Sequence, residues 1–506
     1  MKNEGIEMRR NGMLLPIASL PSPYGIGGFS KEAYEFIDLL EETGQKLWQI
    51  LPLGPTSYGD SPYQSFSTFA GNPYFIDLDT LAEKGWLTKE ACEASDYGDN
   101  ESYIDYGRIY NSRFVLLKQA FLNSDILSDE KFTEFCKANQ HWLPDYALYM
   151  ALKNQNDGKS WIEWEEEIRL RKPEAVEYYK KELEEECNFY EFLQYEFHEQ
   201  WTKVKEYAHE KGIQIVGDVP IYVAFDSADT WANPELFQLD EKNLPLGVAG
   251  CPPDAFSATG QLWGNPLYNW AYHKKTGYDW WLKRIAYCFD LYDIVRIDHF
   301  RGFDEYYSIP YGDETAVNGH WEKGPGIDLF RKIEQALGWK QVIAEDLGYM
   351  TDSVRHLVYE SGFPGMKVLE FAFDSRDSGC ASDYLPHNYP ENCVAYTGTH
   401  DNETIVGWWK SITAAERKLA RDYLCDHATP EEELYKCFIS LIMRSAARVC
   451  VIPMQDYMGL DNRFRMNKPS TVGTNWKWRI KKRDLTKKLQ KEIYDVTLRY
   501  GRKNWD

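Results

Sequence analysis

The segment Asp293–Phe303, with the sequence DIVRIDHFRGF, constrains the fold of this chain more than any other. Its first residues alternate between an apolar face and a face that carries Arg296 and Asp298, and this period of two predicts a β-strand. Because Arg296 and Asp298 are two residues apart, their side chains point the same way at the C-terminal tip of the strand. A neighbouring guanidinium favours an ionised carboxylate, the form that a nucleophile needs. The segment therefore predicts a strand that ends in a reactive carboxylate.

An isolated Arg-x-Asp at a strand end is more often a structural ion pair, but two further segments favour a functional interpretation. Gln341–Gly348 is an apolar run that ends in Glu345, and Cys393–Thr404 is another that ends in Asp401. Three strands that each end in a carboxylate are typical of the C-terminal face of a (β/α)8 barrel, where catalytic residues lie.

The remaining sequence supports such a barrel, because eight strand-like runs alternate with helical patterns. We predict an α/β chain, a single (β/α)8 TIM barrel domain over residues 1–506 with no C-terminal β-domain. A mostly helical subdomain is expected at 54–211 after strand two and a loop subdomain at 224–280 after strand three. The eight predicted strands are Met13–Leu20, Leu47–Leu53, Gly212–Val223, the opening segment, Val342–Leu347, Met366–Phe373, Cys393–Tyr396 and Val449–Met454.

Composition narrows the class of ligand. The formal net charge is −22, which disfavours nucleic acid as a partner. Aromatic residues make up 15% of the chain, including 18 Trp and 35 Tyr, and this favours a neutral carbohydrate, although any single Trp is more often part of a core.

The cysteines and the apolar runs indicate the cellular compartment of the protein. The ten Cys form no C-x-x-C pair and no metal-ligand spacing, so we expect inert thiols, no metal and no organic cofactor. The sequence has no convincing signal peptide and no apolar run of membrane-spanning length. We expect a cytoplasmic protein with no membrane partner, and the sequence predicts no particular oligomeric state.

The carboxylates at the strand ends suit glycoside cleavage, which needs two carboxyl groups. Neighbouring strands lie about 4.8 Å apart, close to the separation of about 5–5.5 Å between the carboxyls of retaining enzymes. Asp298 is then the expected nucleophile and Glu345 the acid/base, with a pKa raised by partial burial and by Asp298. Asp401 and the adjacent His400 are expected to bind sugar hydroxyls.

Two loops should contribute to the same face. Gly54–Pro73 follows the second strand and offers Tyr58, Ser61 and Tyr63, for which ordinary turn packing is an equally good interpretation. Gly250–Trp270 is long, rich in Gly and Pro, and aromatic, and a loop of this length inside a compact domain is usually functional.

Together these segments resemble the amylomaltase, or disproportionating enzyme, family of 4-α-glucanotransferases in the α-amylase clan. The resemblance spans roughly Gly12 to Lys477, and its motifs are specific in combination and weak singly. They are GDSPYQS (Gly59–Ser65), GDVPIYVA (Gly217–Ala224), GCPPDAFSATGQLWGNPLY (Gly250–Tyr268), VRIDHFRGF (Val295–Phe303), AEDLG (Ala344–Gly348), GTHDNET (Gly398–Thr404) and RMN (Arg465–Asn467).

The resemblance implies a role for each matched residue. Asp298 would be the nucleophile, Glu345 the acid/base and Asp401 the third carboxylate. Substrate would contact Tyr63, Asp218, Arg296, His400 and Asn467, with Trp263 on the acceptor side and Tyr58 at an outer glucan-stacking position. The implied reaction moves an α-1,4-glucan segment from a maltooligosaccharide or starch donor to an acceptor glucan or glucose, through a covalent intermediate.

Two other functions remain open from the sequence. A hydrolase of the same clan would use the same three carboxylates, so they do not discriminate. A non-catalytic glucan-binding protein on the same barrel is disfavoured by the intact Asp298, Glu345 and Asp401. The products formed from maltotriose alone would separate the three functions.

Overall fold

The fold was analysed in a computed structural model, which describes residues 9–57, 59–253, 257–348, 350–375 and 381–503. The strands in these residues are β1 (Arg10–Leu14), β2 (Leu47–Gln49), β3 (Gln214–Pro220), β4 (Gly247–Cys251), β5 (Gln261–Pro266), β6 (Ile294–Asp298), β7 (Glu305–Pro310), β8 (His320–Lys323), β9 (Val342–Ala344), β10 (Gly365–Val368), β11 (Cys393–Tyr396) and β12 (Val449–Pro453).

Eight of these strands form the predicted barrel. They are all parallel, in the order β10-β11-β12-β1-β2-β3-β6-β9. Between the first and last strands of this order, the backbone N–H of Ala344 donates to the carbonyl of Pro364 at 2.9 Å. The prediction of a (β/α)8 barrel is confirmed.

Most predicted strands are too long at their C-terminal ends. The first was expected to reach Leu20, but β1 ends at Leu14 and the chain turns into a 3-10 helix at Ile17–Ser19. The second was expected to reach Leu53, but β2 ends at Gln49. The physical reason is that the apolar residues of the loop after a barrel strand are also buried. The apolar run in the sequence therefore continues past the last residue that pairs with a neighbouring strand. Only β11 has the predicted bounds.

Nineteen α-helices lie in the described residues, and eight of them, α2 to α9, fall between β2 and β3. Their bounds are α1 (Lys31–Glu42), α2 (Leu78–Glu83), α3 (Lys89–Ala94), α4 (Tyr106–Asn123), α5 (Glu130–Ala138), α6 (Leu143–Gln155), α7 (Glu166–Arg169), α8 (Pro173–Glu182), α9 (Glu184–Glu210), α10 (Ala228–Ala232), α11 (Trp270–Lys275), α12 (Asp279–Leu291), α13 (Ile327–Leu337), α14 (Asp352–Ser361), α15 (Ile405–Ser411), α16 (Ala414–Leu424), α17 (Leu434–Met443), α18 (Met454–Tyr457) and α19 (Lys487–Arg499). None of these helices is long and apolar enough to cross a membrane.

A second, antiparallel sheet in the order β5-β4-β7-β8 was not predicted. Its first two strands lie within the predicted loop subdomain at 224–280, where Gly and Pro weaken the strand pattern. Gly250 has a packing reason to be glycine, since a Cβ there would overlap the carbonyl of Gln261 on the neighbouring strand. The sheet carries Trp263 on β5.

The alternation in β6 sorts its side chains as the sequence predicts. Val295 and Ile297 pack in the large cluster between the barrel and its helices, whereas Ile294 belongs to the cluster inside the barrel. Arg296 and Asp298 share the inward face with Ile294, because side chains two residues apart lie on one face. The pleat of β6 therefore directs the side chains of Arg296 and Asp298 toward the barrel mouth.

The close packing behind β3 gives a stability prediction. A Cβ on Gly217 would overlap the buried ring of Tyr292, so Gly217→Ala should destabilise the protein by about 1–3 kcal/mol. Gly107 on the exposed side of α4 is a matched control, because the nearest atom to its Cβ would be 3.5 Å away, and Gly107→Ala should be neutral or stabilising. Urea unfolding of both variants measures the difference, and equal midpoints would contradict this account.

Candidate active site

A buried arginine links two carboxylates at the centre of the barrel mouth. Arg296 Nη1 donates to both carboxylate oxygens of Asp218 at 2.7 Å, and its Nη2 lies 3.0 Å from Oδ1 of Asp298. The register of β3 and β6 sets this contact, because Asp218 lies directly opposite Arg296. The arginine side chain is 3% exposed, whereas that of Asp298 is 28% exposed. The cation is therefore fixed inside the barrel while the carboxylate remains reachable from the cleft.

Glu345 is held beside this group by two backbone donors. Its Oε2 accepts from the N–H of His299 at 2.7 Å, and its Oε1 accepts from the N–H of Leu347 at 2.8 Å. The backbone N–H of Glu345 donates to the carbonyl of Ile297 at 3.1 Å. Since His299 directly follows Asp298, these bonds fix Glu345 against the tip of β6, as its place on the neighbouring strand predicts.

Burial raises the pKa values of both carboxyls of this pair. Burial and the charge of Asp298 raise the pKa of Glu345 to about 7, against the opposing effects of Arg296 and the two backbone donors. Burial raises the pKa of Asp298 to about 6, although Arg296 lowers it. The raised pKa of Glu345 was predicted. Arg296 lowers the pKa of Asp298, as expected, but the cost of burying the carboxylate outweighs this attraction, so Asp298 is ionised only above about pH 6.

The third carboxylate, Asp401, is oriented from both sides. Its Oδ2 lies 3.2 Å from Nε2 of His400, and its Oδ1 accepts from Nδ2 of Asn467 at 2.6 Å. Burial opposes ionisation of Asp401, but the charge and hydrogen bond of His400 and the bond from Asn467 lower its pKa below the usual range. Burial likewise disfavours a charged His400, yet Asp401 raises the pKa of that imidazole. Asp401 is therefore the most strongly ionised of the three carboxylates.

Tyr63 connects the two halves of the site. Its hydroxyl donates to Oδ2 of Asp218 at 2.9 Å, and its ring stacks on His400 with centroids 5.0 Å apart. Burial and the charge of Asp218 raise its pKa well above the usual value, so the donor proton is retained. The hydroxyl of Ser61 accepts from the backbone N–H of Tyr63 at 3.3 Å and so shapes the turn that presents it. Tyr58 lies outside the described residues.

Trp263 lies at the site in contact with His299, a residue that was not among the predicted site residues. Its ring meets His299 edge-on at 4.8 Å, immediately beside Asp298. Burial lowers the pKa of His299 to about 3, so this imidazole is neutral. Its position next to the predicted nucleophile was a signal that the sequence already contained.

Two more residues near the site were not predicted as site residues, although Arg465 belongs to the RMN motif. Arg465 donates from Nη2 to the carbonyl of Asp401 at 2.6 Å, and Trp476 lies against the ring of Tyr63 with centroids 5.8 Å apart. Both follow the last barrel strand, so only the fold brings them here.

The arrangement supplies what a double displacement needs. Asp298 can attack an anomeric carbon because it is reachable and partly exposed. Glu345 can carry a proton at neutral pH because its pKa is raised. Among the described residues, no group of three or more His, Cys, Asp or Glu is arranged to hold a metal ion.

Comparison with known proteins identifies the family of this chain. Residues 15–486 match the family model described as 4-alpha-glucanotransferase. The chain is 51% identical over 488 residues to the 4-alpha-glucanotransferase of Clostridium butyricum, covering 96% of this chain and 99% of that protein. It is 47% identical to the 4-alpha-glucanotransferase of Streptococcus pneumoniae TIGR4, covering 99% and 98%. The amylomaltase from Streptococcus agalactiae in complex with acarbose has a TM-score of 0.94 and 42% identity, with 98% and 100% covered.

The two shifted carboxyls predict a bell-shaped pH dependence of kcat/KM on maltotriose. Activity should fall as pH drops through about 6, where Asp298 becomes protonated, and as pH rises through about 7, where Glu345 loses its proton. The two apparent pKa values of this profile describe the coupled pair of Asp298 and Glu345 as a whole. A maltosyl fluoride donor is the control, because fluoride leaves without an acid, and its alkaline limb should shift upward or vanish. An alkaline limb at the same pH for both donors would contradict the assignment of Glu345.

Proposed function

The chain belongs to the 4-α-glucanotransferase family, and from this premise we propose that Asp298 is the nucleophile and Glu345 the acid/base of a retaining glucan transfer. The observation that carries the proposal is the joint placement of these carboxyls at the tips of neighbouring strands, the first paired with Arg296 and the second bound by the N–H of His299. Asp401 is the third carboxylate, which binds sugar hydroxyls.

In the first step, Asp298 attacks the anomeric carbon of the donor while Glu345 gives its proton to the leaving glycosidic oxygen. The bond from the anomeric carbon to that oxygen breaks, and a bond to the Asp298 carboxylate forms. In the second step, Glu345 takes the proton from the 4-hydroxyl of an acceptor, whose oxygen displaces Asp298. The acceptor is thereby extended with retention of configuration, and both carboxyls return to their starting states.

The sugar being transferred would lie among the groups around Asp218. Tyr63 would stack against it, while Arg296, His400 and Asn467 surround the carboxylates that bind its hydroxyls. These contacts are supported by the ion pair between Arg296 and Asp218 and by the hydrogen bond from Asn467 to Asp401. We propose that donor and acceptor are α-1,4-glucans.

We also propose a domain organisation and a cellular compartment for this protein. Residues 1–506 would act as one catalytic domain with insertions at 54–211 and 224–280. A reducing, cytoplasmic compartment is supported by the free thiols among the described cysteines, which are Cys92, Cys136, Cys187, Cys288, Cys393, Cys425, Cys437 and Cys450.

The test of the proposed function is the set of products formed from maltotriose alone. We expect glucose together with maltopentaose and longer chains, with little net gain in reducing ends. Asp298→Asn and Glu345→Gln should each lower the rate by several powers of ten, because each removes a group that acts in the transition state. Asp293→Asn is the matched control, since this carboxylate lies just before β6 and accepts from the N–H of Ile215 at 2.8 Å.

Two results would contradict the proposal. Reducing ends that rise in step with substrate loss, without longer chains, would indicate a hydrolase. A Glu345→Gln protein that keeps more than about a tenth of the wild-type rate would remove that residue from its assigned role.

The place of Trp263 predicts a change in the balance between transfer and hydrolysis. Its ring lies beside His299 at the edge of the site, where it can hold an acceptor sugar in line. Trp263→Ala should lower transfer more than hydrolysis, by about tenfold in their ratio. Trp339→Ala is the control, because this Trp is 59% exposed and precedes β9 at the opposite end of the barrel. Equal loss of both reactions would contradict the acceptor role.

A further inference from the structure

The segment from Arg465 to Trp476 contacts both halves of the site. Arg465 Nε donates to the carbonyl of Asn467 at 2.5 Å, and Asn467 binds Asp401 at 2.6 Å. At the other end of the segment, the ring of Trp476 lies against both Tyr63 and His400. One loop therefore touches the third carboxylate and the aromatic pair.

The backbone of Trp476 is held in an unusual conformation. Its φ is +65°, in the left-handed region that large side chains rarely adopt. Two hydrogen bonds fix it: its N–H donates to the carbonyl of Met466 at 2.7 Å, and its carbonyl accepts from the hydroxyl of Tyr106 at 2.8 Å. Such strain persists only where the surroundings over-determine it, and it clusters at functional sites.

The loop before Trp476 is closed by hydrogen bonds of the buried side-chain amide of Asn475. Asn475 accepts from the N–H of Lys468 at 3.0 Å and donates to the carbonyl of Thr471 at 2.8 Å. Just after it, the carbonyl of Lys477 accepts from the N–H of Ile104, which precedes α4. The helical insertion and the closed loop thus hold the backbone that carries the Trp476 ring.

That ring completes a group of three aromatic side chains. Tyr63 and His400 stack at an interplanar angle of 19°, and Trp476 contacts them at 42° and 41°, with centroids 5.8 and 6.0 Å away. The hydroxyl of Tyr63 is anchored on Asp218, but a phenol fixed at its hydroxyl and at one face can still tilt. Trp476 adds the third contact that limits this tilt.

We propose that Trp476 is a positioning residue for the donor sugar, acting through Tyr63. This inference rests on the proposed function, in which Tyr63 stacks against the transferred sugar. The competing explanation is that Trp476 only packs the helical insertion onto the barrel. The two explanations differ in one respect: positioning through Tyr63 has no effect once the Tyr63 ring is gone.

A double-mutant cycle tests this difference by binding. The dissociation constant of maltotetraose is measured by calorimetry in the slow Glu345→Gln protein, with Trp476→Asn, Tyr63→Ala or both. Asn tolerates the left-handed backbone, so it removes the ring and preserves the chain path. Trp476→Asn should weaken binding about tenfold when Tyr63 is present and less than about twofold in the Tyr63→Ala protein. Trp476→Phe should restore most of the affinity.

Trp478→Phe provides the matched control. This Trp is two residues further along and 3% exposed, and its carbonyl accepts from Ser19 at 2.7 Å. Its effect on binding should be small and additive with Tyr63→Ala. An equal loss from Trp476→Asn in both backgrounds would overturn the inference. That result is distinct from failure of the proposed function, in which wild-type protein would make no longer chains from maltotriose.

Discussion

The structure of the site depends on one interaction, the contact of the buried Arg296 with Asp218 on one side and Asp298 on the other. A guanidinium can bind one carboxylate with two bonds and still offer a further N–H to a second, which an ammonium group cannot do with the same geometry. Breaking such a buried arrangement from one side would leave an uncompensated charge in the barrel, at a large cost. The alternation of β6 and its register with β3 therefore decide where the proposed nucleophile, Asp298, lies.

Around this ion pair, burial and charge give three carboxyls three different proton affinities. Glu345 has the highest pKa because removal from water and the charge of Asp298 together outweigh the opposing effects of Arg296 and the two backbone donors. Asp401 has the lowest because His400 and Asn467 both stabilise its charge. Sites that run acid and base chemistry at one pH depend on such separation of pKa values between neighbouring groups. The order found here matches an acid, a nucleophile and a hydroxyl-binding carboxylate.

The sequence predicted those parts of the fold and site that follow from local alternation. Apolar runs located all eight barrel strands, and the spacing of Arg296 and Asp298 predicted their shared face. What it missed depends on contacts distant in sequence. Glycines such as Gly250 weaken the strand pattern of the antiparallel sheet. Gly250 is required there because a Cβ would overlap the neighbouring strand. Trp476 reaches the site only because the barrel closes and the helical insertion holds its backbone. The direction of the pKa shift at Asp298 required knowing its burial as well as its partner.

The central claim is that Asp298 carries the glucan during transfer. A maltosyl fluoride with a second fluorine at C5 of the reacting sugar slows turnover of a covalent intermediate, so the trapped protein can be digested and its peptides mapped by mass spectrometry. The account predicts one glycosylated peptide that contains residues 294–303, with the sugar on Asp298. A label on Asp218 or Asp401, or turnover with inverted configuration and no labelled peptide, would contradict it.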